Sequence, residues 1–424
     1  MKWELAIVSA SLLGVAGVSR RLDRTSFTTA MAFVLIGLLV GPLVADGVTL
    51  SAASATLRSV AEATLAVVLF ADASRIKLSV LKHEYAVPVR LLGIGLPLTI
   101  ALGAFVAARL LTGLDTAEAL VLAIIVAPTD AALGQAVVSE PRLPSRIRQG
   151  LNVESGLNDG ICVPLLLIAL AAASEEEHMA TSHHALTIVA QEIGYGILGG
   201  VAAGLAAAAV VLLYRRRLVT AAWLQVIPLA AAFLAYGLAV GLGGSGFIGA
   251  FLAGGIFGAL VPRESEEASR LNEEIGGVLG GVTFLIFGAV LLGPSLKHMT
   301  WHIVLYAVLS LTLVRLLPVA IAMTRSGARW QTVAFLGWFG PRGLASIVFA
   351  IIAVQSSHLA GAHTILLTAY ITVGLSVIAH GISAAPLAIR YARWYERESL
   401  SHPSTMESVV APHHRPRGPH YLSR

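Results

Sequence analysis

Apolar stretches long enough to cross a bilayer follow one another almost from end to end of this 424-residue chain, separated by short polar connections. Stretches of about twenty apolar residues have the length that a helix needs to span the hydrocarbon. The sequence is therefore read as an all-α polytopic membrane protein. Composition agrees: 56% of the residues are hydrophobic and 12% are charged, against about 25% charged in an average soluble domain.

About thirteen spans can be counted, near residues 5–18, 27–44, 60–73, 86–110, 117–138, 150–173, 185–213, 221–240, 246–262, 274–292, 303–323, 331–353 and 363–389. The first is short, but it has no A-x-A-like cleavage site and runs straight into Arg20 and Arg21, so it is kept as a span. The net charge of +5 sits in alternate loops rather than in a nucleic-acid-binding patch. Basic residues follow the odd-numbered spans: Arg20, Arg21 and Arg24; Arg75, Lys77 and Lys82; Arg142, Arg146 and Arg148; Arg215, Arg216 and Arg217; Arg263 and Arg270; Arg325 and Arg329. The even-numbered connections carry little beyond Arg58, Lys297 and the acidic run Glu175, Glu176 and Glu177. The basic side reads as cytoplasmic, which puts the N-terminus outside and the C-terminus inside. Residues 396–424 are polar and aperiodic and are expected to form a disordered cytoplasmic tail, its histidines solvated. Cys162 stands alone, which excludes a disulfide framework and any multi-cysteine metal site.

Residues 122–164 break the pattern. Pro128 interrupts span five, followed by Thr129 and Asp130; Glu154, Ser155, Asn158 and Asp159 crowd the start of span six. Intramembrane charges are costly and functional by default, and a proline break is tolerated only where it lines a polar cavity. A second break lies in span twelve, where G-P-R-G-L-A surrounds Pro341 as A-P-T-D-A-A-L surrounds Pro128. If span seven is a linker, spans one to six map onto eight to thirteen with opposite orientation. Such an inverted repeat with paired broken helices points to a transport site.

Positions four apart share a helix face, so Ser155 stacks with Asp159 and Glu154 with Asn158. A carboxylate and a hydroxyl on one face suit a dehydrated alkali cation, since hard cations take oxygen ligands. Thr129 can add its hydroxyl and a freed carbonyl, giving a candidate alkali-cation site at Asp159, Ser155 and Thr129. Asp130 is either a further ligand or a cap on the second half of span five. Asp72, at the end of span three, is either a peripheral ligand or an interfacial charge. Three arginines lie within spans and need partners. Arg90 lies near a span end and can snorkel; Arg342 is drawn to the carbonyls of a half-helix C-terminus; Arg315 has Glu154 as its natural partner.

Together, A-P-T-D, E-S-G-L-N-D-G and G-P-R-G-L-A resemble the signature of NhaP-type sodium/proton antiporters, bacterial relatives of the NHE exchangers, over roughly residues 1–395. The resemblance implies an NhaA-like antiporter fold and exchange of a monovalent cation (Na⁺, with Li⁺ and K⁺ as alternatives) for H⁺, serving pH homeostasis. It makes Asp159 the ion- and proton-binding aspartate, with Asn158, Ser155, Thr129 and Asp130 lining or supporting the site. It also pairs Glu154 with Arg315 and matches Arg342 to the arginine of the broken span twelve. Relatives often carry glutamate followed by glycines where this chain has Asp72-Ala73. The resemblance further implies a scaffold of spans 1–85 and 185–300 that forms a homodimer, and a core of spans 86–184 and 301–395 that moves like an elevator. Partners are then the cation, the proton, a second copy and the lipid bilayer of the cell (inner) membrane, with no cofactor and no nucleic acid.

Other classes fit less well. A cation channel also lines its path with carboxylates. An intramembrane aspartyl protease needs a G-x-G-D element, whereas Asp159 sits in L-N-D-G. Gly243-Gly244-Ser245-Gly246 fits the G-x-S-G of a rhomboid-like protease, but reads more simply as a turn, with His302 and His380 distant in sequence.

Overall fold

The computed structural model describes residues 2–22, 25, 27–44, 50–75, 86–130, 133–134, 137, 140–173, 182–356, 359–401 and 406–408. Among these the regular structure is helical: α1 (Lys2–Leu22), α2 (Thr29–Val44), α3 (Leu50–Ser74), α4 (Ala86–Leu110), α5 (Thr116–Ile125), α6 (Ser145–Ala173), α7 (Ser182–Arg215), α8 (Ala221–Gly241), α9 (Gly246–Leu260), α10 (Ser265–Ile286), α11 (Trp301–Ala322), α12 (Trp330–Trp338), α13 (Leu344–Ser356) and α14 (Ala362–Ser401). Among the described residues, eight helices are long and apolar enough to cross a membrane and four more are shorter and apolar. The chain is a multi-pass membrane protein.

Three boundaries differ from the sequence reading. Helix α3 begins at Leu50, so Arg58 lies inside it and pairs with Glu62 rather than occupying a connection. Helix α5 stops at Ile125. Helix α14 runs on to Ser401, and Met406–Ser408 forms a further turn, so the chain is ordered beyond the expected boundary at residue 395. Arg24, Lys77, Lys82, the Glu175–Glu177 run and the tail after Ser408 lie outside the described residues.

Among the described residues the buried apolar side chains form three clusters. Helices α3, α7, α8 and α9 enclose a cluster of small and aromatic side chains, with Phe70 and Phe257 at its middle. Gly254 and Gly258 of α9 face the backbone of Phe70 and Ser74 of α3, where a methyl at either position would collide with main chain. Lipid tails are as apolar as leucine, so membrane helices gain by such close backbone approach rather than by hydrophobic burial. The largest joins α4, α5, α6, α11, α13 and α14 around Leu122, Tyr306, Phe349 and Ile365, and extends to residues of α1, α2, α3 and α10. A third packs Val87, Ile147, Phe335 and Tyr391 together. Helix α3 contacts α6 and α13, and α7 contacts α6.

The charged helix ends are tied together in pairs. Arg75, after α3, bonds Glu273 of α10 at 2.8 Å. Arg215 grips Glu264 with two bonds of 2.7 Å and holds that carboxyl below its ordinary range. Arg90, half-buried, donates to the carbonyls of Ala322 and Thr324 and so satisfies the C-terminal end of α11.

Candidate ion site at two broken helices

Span five begins with a sharp start signal. Asp115 accepts from the Glu118 N–H at 2.7 Å while the Glu118 carboxylate accepts from the Asp115 N–H at 3.2 Å, a reciprocal capping box. The helix then unwinds at Val126 and leaves Ala127, Pro128 and Thr129 with carbonyls free of intrahelical bonds. Span twelve does the same, unwinding at Phe339 and restarting at Leu344. Each proline removes a donor just where its helix stops.

The two breaks meet and exchange partners. Arg342 donates through Nη1 to the carbonyls of Ala127 and Pro128, so it satisfies the C-terminal end of the opposite half-helix. Asp130 donates its N–H to the Pro341 carbonyl at 2.7 Å, and its carboxylate accepts the Leu344 N–H at 3.2 Å. The cap expected of Asp130 thus falls on the first turn of α13. The other half of its own span lies partly outside the described residues. Gly343 is required here, since a Cβ would overlap the Asp130 carboxylate.

Helix α6 passes beside the crossing and presents two faces, as the spacing predicts. On one, Glu154 pairs with Arg315 at 3.0 Å, both 1% exposed. Asn158 donates from Nδ2 to Thr129 Oγ1 at 2.6 Å and to Glu154 Oε1 at 3.4 Å, and Thr129 Oγ1 donates to Glu154 Oε2 at 3.4 Å. On the other, Ser155 donates to the Thr129 carbonyl at 2.6 Å, and Asp159 lies one turn further on. Asp159 is 6% exposed and its Oδ1 has no hydrogen-bond partner among the described residues. A buried polar atom left so is costly and marks a place for a ligand, proton or water. A cavity of about 20 Å³ lies beside Thr129, Asp130, Ser155, Phe339 and Pro341, room for about one water.

Asp72 is buried and faces α6 at Gly156, where an added Cβ would meet its Cβ at 3.5 Å, and its carboxylate is paired with Arg75 at 3.4 Å. The sequence reading missed a further element. Ser376 and His380, four apart on α14 and both buried, close off the second break. The backbone N–H of Arg342 donates to Ser376 Oγ at 2.6 Å, His380 Nδ1 lies 3.2 Å from Ser376 Oγ and 3.0 Å from the Ser376 carbonyl, and His380 Nε2 lies 2.9 Å from the Trp338 carbonyl. The ladder Thr368, Thr372, Ser376, His380 at intervals of four on an apolar helix was the available signal.

Buried acids and arginines held at two opposed helix breaks define a polytopic membrane protein of the broken-helix transporter class. Comparison with known proteins places it more narrowly. The family model for the transmembrane sodium/hydrogen exchanger matches residues 7–390, and the chain belongs to that family. The family is one of transporters, so the protease readings do not apply. Among curated relatives, the K(+)/H(+) antiporter NhaP of Alkalimonas amylolytica is 25% identical over 375 residues, covering 87% of this chain and 62% of that protein. The K(+)/H(+) antiporter NhaP2 of Shewanella sp. (strain MR-4) is 24% identical over 90% of this chain and 65% of its own length. The chain thus spans a little under two thirds of these relatives. The solved structure of the sodium proton antiporter MjNhaP1 from Methanocaldococcus jannaschii superposes with a TM-score of 0.77 at 20% identity, over 92% of this chain and all of that one, and shares its fold.

Proposed function

We propose that this protein is a secondary active antiporter exchanging a monovalent cation, Na⁺ in the first instance, for H⁺ across the cell membrane. The observation that carries this reading is the unpartnered, buried Oδ1 of Asp159 beside the paired breaks of a sodium/hydrogen exchanger chain. A proton and a cation cannot occupy the same carboxylate oxygens together, so one acid couples the two without a separate gate. Ser155 commits its proton to the Thr129 carbonyl, which leaves its lone pairs available to a cation bound at Asp159. Glu154, already held by Arg315, Asn158 and Thr129, serves as a structural pair. Asp72, neutralised by Arg75, is a peripheral charge in this reading.

In this reading residues 1–85 and 185–300 form a scaffold that makes a homodimer, and residues 86–184 and 301–395 form a core that carries the site across the membrane like an elevator. The basic ends lie in the cytoplasm, with the N-terminus outside. K⁺ is the second reading for the cation, supported by the names of the bacterial relatives. In everted vesicles, adding Na⁺, Li⁺ or K⁺ should collapse an imposed ΔpH in a saturable way. Proton movement that needs no counter-cation, or conduction that does not saturate, would replace exchange with a channel.

A further inference from the structure

The two broken spans differ at their first turns. Helix α5 carries its own capping box, and Glu118 goes on to accept the Gly361 N–H at 2.7 Å, which fastens the start of α5 to the start of α14. Helix α12 has Arg329 at its N-cap, which gives no side-chain cap, and Thr332 where α5 has Glu118. By its own sequence, the first turn of α12 is uncapped.

A carboxylate from beyond α14 fills that place. Glu407, in the Met406–Ser408 turn, is 2% exposed and accepts the Arg329 N–H at 2.9 Å and the Thr332 hydroxyl at 2.6 Å. Thr332 also bonds Tyr391 Oη at 2.8 Å. Arg146, at the start of α6, donates to the Met406 carbonyl at 3.2 Å, and Tyr395 donates to the Glu407 carbonyl at 3.4 Å. The Met406 side chain packs on the cluster formed by Ile147, Phe335, Leu336 and Tyr391. The Arg329 guanidinium is drawn aside to Glu398 at 2.9 Å. The turn carrying Glu407 therefore does for α12 and α6 what Glu118 does for α5 and α14 at the other broken span: its carboxylate holds the start of α12 and its Met406 carbonyl holds Arg146 of α6.

We infer that Glu407 is a positioning residue, and that the turn carrying it is a clip which caps α12 from outside and fixes its start against the start of α6. Helix α12 is nine residues long, about 13 Å, and ends at the break where Pro341 and Arg342 hold Asp130, Ala127 and Pro128. Loosening its first turn therefore shifts the geometry around the ion site. This last consequence rests on the exchange function proposed above; the clip itself does not.

The test is amide hydrogen exchange on the full chain in detergent, with cation-driven ΔpH collapse measured in parallel. In Glu407→Ala, the amides of residues 329–333 should exchange roughly tenfold faster, while those of residues 116–120 stay at the wild-type rate. The apparent cation affinity should shift with them. Adding Arg329→Ser supplies a cap within α12 and should restore both readouts in the double variant. Unchanged exchange at residues 329–333 would overturn the clip. Faster exchange with unaltered cation affinity and pH profile would overturn the positioning role. A wild-type protein that moves no protons in response to cation would remove the exchange function, and amide exchange would still decide the clip.

Discussion

The carboxylate of Asp130, on one broken span, accepts the backbone N–H of Leu344, which opens the far half of the other, at 3.2 Å. Arg342 returns the exchange by donating to the carbonyls that end the near half of Asp130's span. Each break thus supplies the charge that the opposite helix terminus needs, a negative group at an N-terminus and a positive one at a C-terminus. The crossing is stabilised by terminal dipoles and side chains together, so neither break can straighten without leaving the other's groups unsatisfied.

Asp130 should accordingly behave as a cap first. Asp130→Asn keeps an acceptor oxygen for Leu344 and should retain wild-type thermal stability. Asp130→Ala should lose about 0.5–2 kcal/mol, the usual cost of an N-cap. Thermal unfolding of both variants in detergent checks this. Equal loss in the two would show that the charge of Asp130, rather than its hydrogen bond, holds the crossing. Gly343→Ala, which drives a methyl into the same carboxylate, should be more damaging than Asp130→Asn.

Glu154 and Arg315 are both 1% exposed and pair at 3.0 Å. Removing one partner of a buried pair strands the other, typically at about 3–5 kcal/mol. Glu154→Ala should therefore lower the unfolding temperature more than it changes apparent cation affinity. A variant as stable as the wild type but with a large affinity shift would move Glu154 from structure to transport.

The faces of α6, the Glu154–Arg315 pair and the proline breaks were all legible in the sequence, because helical periodicity and the cost of intramembrane charge each demand one arrangement. Partners joined across the fold were not. Nothing local says that Asp130 caps α13 instead of its own helix, or that Arg342 serves carbonyls some two hundred residues away. Those choices depend on the crossing, which brings each break closer to the other's termini than to its own. Glu407 was hidden for a different reason. Its segment is polar and aperiodic, and composition of that kind reads as tail until a buried donor pair is found for the carboxylate.

Asp159 is the residue whose loss should be total. Asp159→Asn has nearly the same shape but can neither release a proton near neutral pH nor offer a carboxylate to a cation. The variant should insert and purify normally and show cation-dependent ΔpH collapse no greater than empty vesicles. Sustained exchange by Asp159→Asn would remove Asp159 from the coupling step and turn attention to Asp130.

Stoichiometry follows from what stands beside Asp159. The neighbouring position is Asn158, fully buried and engaged through Nδ2 with Thr129 and Glu154. Asparagine has no titrating proton, and Glu154 is bound to Arg315. Asp159 is then the one carrier acid on α6, able to take a single proton or a single monovalent cation. The loaded core bears the same charge in either case, so exchange should be electroneutral and driven by concentration gradients alone. The membrane potential, worth about 2.3 kcal/mol per charge per 100 mV, should have no purchase on it. In proteoliposomes with fixed Na⁺ and H⁺ gradients, clamping the potential with K⁺ and valinomycin should leave the exchange rate unchanged. A rate that climbs or falls steeply with the imposed potential would mean that a second charge moves. Asp130, the other acid at the crossing, whose carboxylate accepts the Leu344 N–H, would then be the first position to substitute.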